Sequence, residues 1–169
     1  MIDLIKKNSL EFFNANGLPS KKLENWKFTS SKNFKSFNKS SSSIKNQKIE
    51  SDELSIVFVN GVLDRNSLKN FKFSDLLEVK NLDELNDKEL LSCSENFLKE
   101  SMFNLGISEF ENGSYLSFKR NSVIEEVINI KNYFFENGNN ERVSSFNIFH
   151  INEGSDISIM EEDIKENHS

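Results

Sequence analysis

Cysteine occurs once, at Cys93, and proline once, at Pro19, in a chain of 169 residues. A single thiol excludes an intrachain disulfide, and Cys93 with His150 and His168 cannot supply four Cys or His ligands to a zinc ion. Basic charge is in deficit, with 21 Lys and Arg against 27 Asp and Glu and a net charge of -6, and no segment gathers the lysines into a stripe. That balance disfavours nonspecific binding to nucleic acid. Long apolar runs are absent too: Ile56-Val57-Phe58-Val59 falls far short of the roughly 20 residues that a membrane span needs. The opening Met1-Ile2-Asp3-Leu4-Ile5-Lys6-Lys7 places an acid in the first turn and no apolar stretch after the lysines, unlike a secretory signal. The expectation is a cytoplasmic chain with no membrane partner. Also missing are a dinucleotide-type glycine fingerprint, a Walker A loop, a nucleophile elbow and a zinc signature.

Phenylalanine is the one hydrophobic type in excess, with 16 residues, and it supplies the raw material for a core. From Ile2 to Asn16, Ile2, Ile5, Phe12 and Phe13 follow a helical period, and Gly17 and Pro19 stop it. The run Asn38 to Ser43 is polar and of low complexity, which reads as a surface loop. Ile56 to Val59 is β-prone and ends in Asn60-Gly61 before Val62-Leu63, which predicts a hairpin. Leu82 to Asn104 is rich in helix formers, interrupted near Ser92-Cys93-Ser94, and predicts two helical segments, or one helix with a break, ended by Gly106.

Beyond Gly106 the pattern alternates with period two, in Tyr115 to Phe118, Val123 to Ile130, Ser145 to His150 and Ile157 to Met160. Asn112-Gly113, Asn137-Gly138 and Gly154-Ser155 punctuate these runs. A meander, a sandwich and the first coils of a solenoid all fit that spacing. The predicted organisation is α+β, with a mixed unit over 1–106 and β structure over 107–169.

The string Gly17-Leu18-Pro19-Ser20-Lys21-Lys22-Leu23-Glu24-Asn25-Trp26-Lys27-Phe28-Thr29 resembles the N-terminal signature of the SufB/SufD family, the scaffold subunits of Suf iron-sulfur cluster assembly. Its matching positions are Gly17, Leu18, Pro19, Lys22, Glu24, Trp26, Lys27, Phe28 and Thr29. Ile56 to Gly61 is similar to the family's strand and turn, Phe97 to Leu105 to its following helix, Val123 to Ile130 to a first rung, and Asn152 to Glu162 to a later one. The position of the signature favours the SufD side of the family. Val127 stands where the family usually carries proline.

The resemblance implies a mixed helical N-terminal domain and the first rungs of a right-handed parallel β-helix, truncated, with the reading frame expected to continue. It also implies a non-catalytic scaffold that pairs with a SufB-like subunit through the β-helix core. A SufC-like ATPase would be met through a C-terminal domain missing here. By the same implication the iron-sulfur cluster belongs to the assembled complex and not to this chain. Two other readings stand beside it: a β-solenoid enzyme, such as an acyltransferase or a polysaccharide-active protein, and an interaction module without metal chemistry.

Physically the signature reads as a structural device. Gly17 can close the first helix in the left-handed conformation, and Pro19 fixes the chain after it. Trp26, Phe28 and the Phe34-Phe37 pair are expected to fold against Phe12 and Phe13, with Glu24 pairing Lys27. The same Glu24-Trp26-Lys27 cluster has the composition of a binding hot spot. Cys93 reads as a packed side chain, His150 as a residue on a strand face, and His168 as a terminal residue without a fixed partner. Adjacent strand residues point to opposite faces, so neither Glu125-Glu126 nor Glu161-Glu162 offers two carboxylates side by side for acid/base work.

Overall fold

The structure, a computed structural model, describes residues 2–31, 38–39, 49, 51–86, 100–135 and 141–166. Cys93, His168, Phe97, the Phe34-Phe37 pair and Ser40 to Ser43 lie outside the described residues. Helix α1 spans Ile2–Asn16, α2 Arg65–Asn70 and α3 Ser101–Glu109. The strands are β1 (Asn38–Lys39), β2 (Ser55–Val59), β3 (Val62–Leu63), β4 (Leu77–Asn81), β5 (Asn112–Phe118), β6 (Val123–Phe135), β7 (Glu141–Arg142), β8 (Ser145–Ile151) and β9 (Asp156–Glu166). The class is α+β with mixed sheets and no closed barrel. No described helix is long and apolar enough to cross a membrane.

Two sheets carry the molecule. One has the order β3-β2-β6-β9, the other β4-β5-β8, and β1 pairs with β7 alone. β2 runs parallel to β6 and β6 parallel to β9, while β5 runs parallel to β8; β3 and β4 add antiparallel edges. Consecutive strands in a meander would be antiparallel, so that alternative falls. β5 and β6 form a pair joined at a corner, and β8 and β9 repeat it 33 residues later.

The corners stack as the strands do. Asn121 N–H donates to Glu153 O (3.0 Å) and Asp156 N–H to Ser122 O (2.8 Å). Ser122 N–H donates to Ser155 Oγ (3.1 Å), and Arg120 pairs with Glu153. Between Ile124 and Val127 the register slips, so that Glu125 and Glu126 form a bulge in β6. Two extra residues keep the alternation in phase, and Ile128 and Ile130 still point inward with Ile124. Glu126 leaves the ladder to pair with Lys72, whose ammonium hydrogen-bonds the carboxylate and lowers its pKa. Val127, next to the bulge and exposed, is the residue at which the β6–β9 ladder resumes, opposite Ser158.

Between the sheets lies the main core, where Ile56 and Phe58 of β2 meet Leu116 and Phe118 of β5 and Ile124, Ile128 and Ile130 of β6. Val57 and Val59 face the other way, against Tyr133 and Phe135. β2 is thus buried on both faces, which is why its sequence is apolar without alternation. Burying Phe58 or Phe118 contributes about 1.5–3 kcal/mol each relative to exposure. On the far side of β5, Tyr115 and Ile148 pack with Leu82, Leu85, Ile107 and Phe110, and α1 covers this cluster through Ile2 and Ile5. The layers are therefore helices, three-stranded sheet, four-stranded sheet.

The hairpin forms as predicted. Asn60 (φ 45°) and Gly61 (φ 78°) are both left-handed, as a two-residue hairpin turn matched to the strand twist requires. The helix expected to end at Gly106 instead continues to Glu109, and Phe110 N–H caps Gly106 O at 3.0 Å. Gly106 has no left-handed φ, and its carbonyl accepts the Ser144 hydroxyl at 2.9 Å; an added Cβ would meet only Ser144 Oγ at 3.8 Å, so neither a stop nor a close approach requires glycine here. Strand pairing also crosses residue 106, since β2 joins β6 and β4 joins β5.

Candidate functional site

The nine signature positions come together at one end of the helical layer. α1 and α3 are antiparallel: Lys6 Nζ donates to Phe110 O (2.6 Å) at one end, and the Ser101 hydroxyl donates to Gly17 O at the other. Gly17 takes φ 67° and its N–H returns to Phe13 O at 2.6 Å, closing the last turn of α1 as a left-handed cap. Pro19 is buried, and its carbonyl accepts the Ser31 hydroxyl at 2.8 Å.

From Ser20 the chain winds through successive tight turns. Leu23 N–H donates to Ser20 O (3.0 Å), Trp26 N–H to Leu23 O (2.9 Å), Lys27 N–H to Glu24 O (3.3 Å) and Thr29 N–H to Trp26 O (3.1 Å). Glu24–Trp26 is a 3-10 turn. Each bond is local, so the segment needs few tertiary contacts to hold its shape, and its side chains are left to project.

They project into and around a groove of about 500 Å³. Phe12, Leu18 and Pro19 form part of its lining, together with Leu23, Trp26 and the start of α3 at Ser101. Trp26 is partly buried there. The expected mini-core is not what forms: Phe28 is 92% exposed and Leu23 51% exposed. Turns this tight direct Phe28 away from α1. Nor do Glu24 and Lys27 form an ion pair among the described residues; Lys27 Nζ lies 5.6 Å from the centre of the Phe28 ring instead. Lys22 and Thr29 are exposed.

No protein-family model and no curated protein matches this chain.

The other candidates lie elsewhere. His150 is exposed near the end of β8, with its ring 5.9 Å from that of Tyr115 in an edge-on contact. Glu125 and Glu126 sit in the bulge, where only Glu126 has a described ion pair, with Lys72. On β9, Glu161 and Asp163 converge across the intervening Glu162: Asn132 Nδ2 donates to Glu161 Oε1 (2.8 Å) and to Asp163 Oδ1 (3.0 Å). Weighing only adjacent acids missed this pair, although the two-residue strand period is the signal that finds it. Among the described residues no three His, Cys, Asp or Glu side chains converge as a metal-binding group.

Proposed function

We propose that this chain is a SufD-like scaffold subunit of an iron-sulfur cluster assembly complex. It would act with a SufB-like partner and a SufC-like ATPase, with the cluster as the cargo of the assembled complex. The observation that carries the reading is the repeat in which β5, corner and β6 recur 33 residues later as β8, corner and β9, in parallel register. A parallel β-helix is built from such stacked coils, and we read these two pairs as its first rungs. The signature supports the same assignment, because it forms the closure between α1 and α3, and α3 leads directly into β5.

On this reading the chain catalyses nothing and contributes shape. Stacked rungs present unpaired strand edges to a neighbouring subunit, and a rigid solenoid holds that neighbour at a fixed distance from the helical layer. Co-expression of this gene with the SufB-like and SufC-like genes of the same genome tests the proposal. A stable ternary complex that carries iron and sulfide is expected, and a chain that purifies alone in the presence of both partners refutes it.

A further inference from the structure

At the end of the helical layer away from the signature, a cleft of about 400 Å³ opens between the first turns of α1, strand β3 and the start of β5. That volume lies within the range of small-molecule sites. Four charged side chains line it, Lys6 and Arg65 together with Asp83 and Glu111. Opposite charges that share a cleft can neutralise each other by pairing, yet among the described residues neither Lys6, Arg65 nor Asp83 makes an ion pair.

The two cations are held by neutral acceptors instead. Lys6 Nζ donates to Phe110 O (2.6 Å) and lies 4.1 Å from the centre of the Phe110 ring. Arg65 donates from one guanidinium nitrogen to Asn81 Oδ1 (2.9 Å). Asn81 is fixed in turn by Glu84, whose carboxylate accepts its side-chain Nδ2–H (2.9 Å) and its backbone N–H (3.1 Å). A guanidinium carries five N–H donors, so this one contact positions Arg65 and leaves its charge and most of its donors available. Ser114, directly across the β4–β5 ladder from Asn81, is only 5% exposed, and its hydroxyl makes no described hydrogen bond. A hydroxyl so enclosed in a cleft wall is satisfied from the cleft.

We propose that this cleft binds a free α-amino acid with an apolar side chain, its carboxylate on Arg65 and the Ser114 hydroxyl and its ammonium on Asp83. The three groups are neighbours: Arg65 is bonded to Asn81, Ser114 is paired with Asn81 across the ladder, and Asp83 follows Asn81 by two residues. A simple anion would face Asp83 and Glu111 as well as the cations, and a simple cation would face Lys6 and Arg65. A zwitterion with both charges on one carbon meets both signs. Ile2, Leu63, Leu82 and Phe110 supply an apolar wall for the side chain. Because Asn81 and Phe110 hold the cations in place before anything binds, little ordering is left for the ligand to impose. This inference goes beyond the scaffold assignment and does not rest on it, since it uses only the residues of this cleft.

Calorimetric titration of the full chain with L-leucine, L-methionine and L-phenylalanine tests it. Saturable binding of at least one is expected. The amide of that amino acid lacks the negative charge and its N-acetyl derivative lacks the positive one, so each should bind at least about tenfold more weakly. Arg65→Gln and, independently, Asp83→Asn should also weaken binding at least about tenfold, whereas Lys7→Gln, outside the cleft, should leave it unchanged. Arg65 and Asp83 are exposed, so both variants should melt with the wild type; if a melting curve is displaced, the amide and N-acetyl derivatives on the wild type decide. No saturable binding by any of the amino acids, equal binding of the amide or the N-acetyl derivative, displacement by inorganic phosphate, or binding unchanged in both variants would overturn the proposal.

Discussion

Asn60 offers the sharpest test of how the hairpin and the parallel ladder depend on each other. β2 ends at Val59, but its pairing with β6 does not. Asn60 N–H donates to Tyr133 O (2.8 Å), and its side-chain Oδ1 accepts the Phe135 N–H at 2.9 Å, so an amide side chain extends the ladder beyond the strand's last residue. The residue is 3% exposed and holds φ 45°. Asn60→Ala therefore does two separable things. It leaves a buried Phe135 N–H without its acceptor, at a cost of about 1–3 kcal/mol, and it places a residue with a bare Cβ in the left-handed region, at about 1 kcal/mol. The sum is about 2–4 kcal/mol.

Asn60→Gly removes the acceptor but relieves the backbone, so it should cost about 1 kcal/mol less than alanine. With a urea m-value of roughly 2 kcal/mol/M for a chain of this size, alanine should lower the unfolding midpoint by about 1–2 M. Circular dichroism in urea measures both variants, and hydrogen exchange at Phe135 provides the local check. An alanine variant within about 0.5 kcal/mol of wild type, or a glycine variant less stable than alanine, would refute the reasoning.

Three further outcomes are expected. Gly113→Ala should destabilise by about 3 kcal/mol or more, because an added Cβ would lie 2.5 Å from the backbone oxygen of Phe146, which the β5–β8 ladder holds in place; a variant that melts like wild type would show that this approach is not close. The Ser55 hydroxyl, then Lys131 and the Leu54 N–H, hold the Asp52 carboxyl below the ordinary carboxylate range, so its stabilisation is present above about pH 4 and is lost as pH falls through the lowered value. Asp52→Asn should therefore trail wild type at neutral pH and converge on it in acid; parallel acid limbs would contradict the assignment. Trp26→Ala should cost about 2 kcal/mol by thermal or urea melting, below the 3–5 kcal/mol of a fully buried aromatic, because the side chain is only partly buried; a loss of about 4 kcal/mol would make Trp26 a core anchor after all.

Local signals were legible wherever local chemistry decides the structure. Gly17 after an amphipathic run marked the end of α1, and Asn60-Gly61 marked a hairpin whose two φ values permit few other residues. Period two beyond residue 106 identified β5, β6, β8 and β9. Gly106 misled because glycine marks a helix end only where the backbone turns left-handed, and here it keeps a helical φ inside α3, with room for a Cβ. The signature was recognisable as a string, while the fate of its side chains was not. Tight turns could fold Phe28 inward or outward, and the choice depends on where α1 and α3 stand when the segment reaches them.

Sequence by itself determined the elements and their faces, since helical and strand periods are properties of neighbouring residues. Tertiary structure alone decided how those elements pair. The same alternating runs serve antiparallel or parallel neighbours, and what selects the parallel stack here is contact between residues 33 apart: Ser122 on Ser155, Arg120 on Glu153, Asn121 against Gly154. It also decided that Glu161 and Asp163 meet at Asn132, and that Phe28 faces water with Lys27 over its ring. No window along the chain contains both partners of such contacts, and their energy appears only after the loops between them have closed.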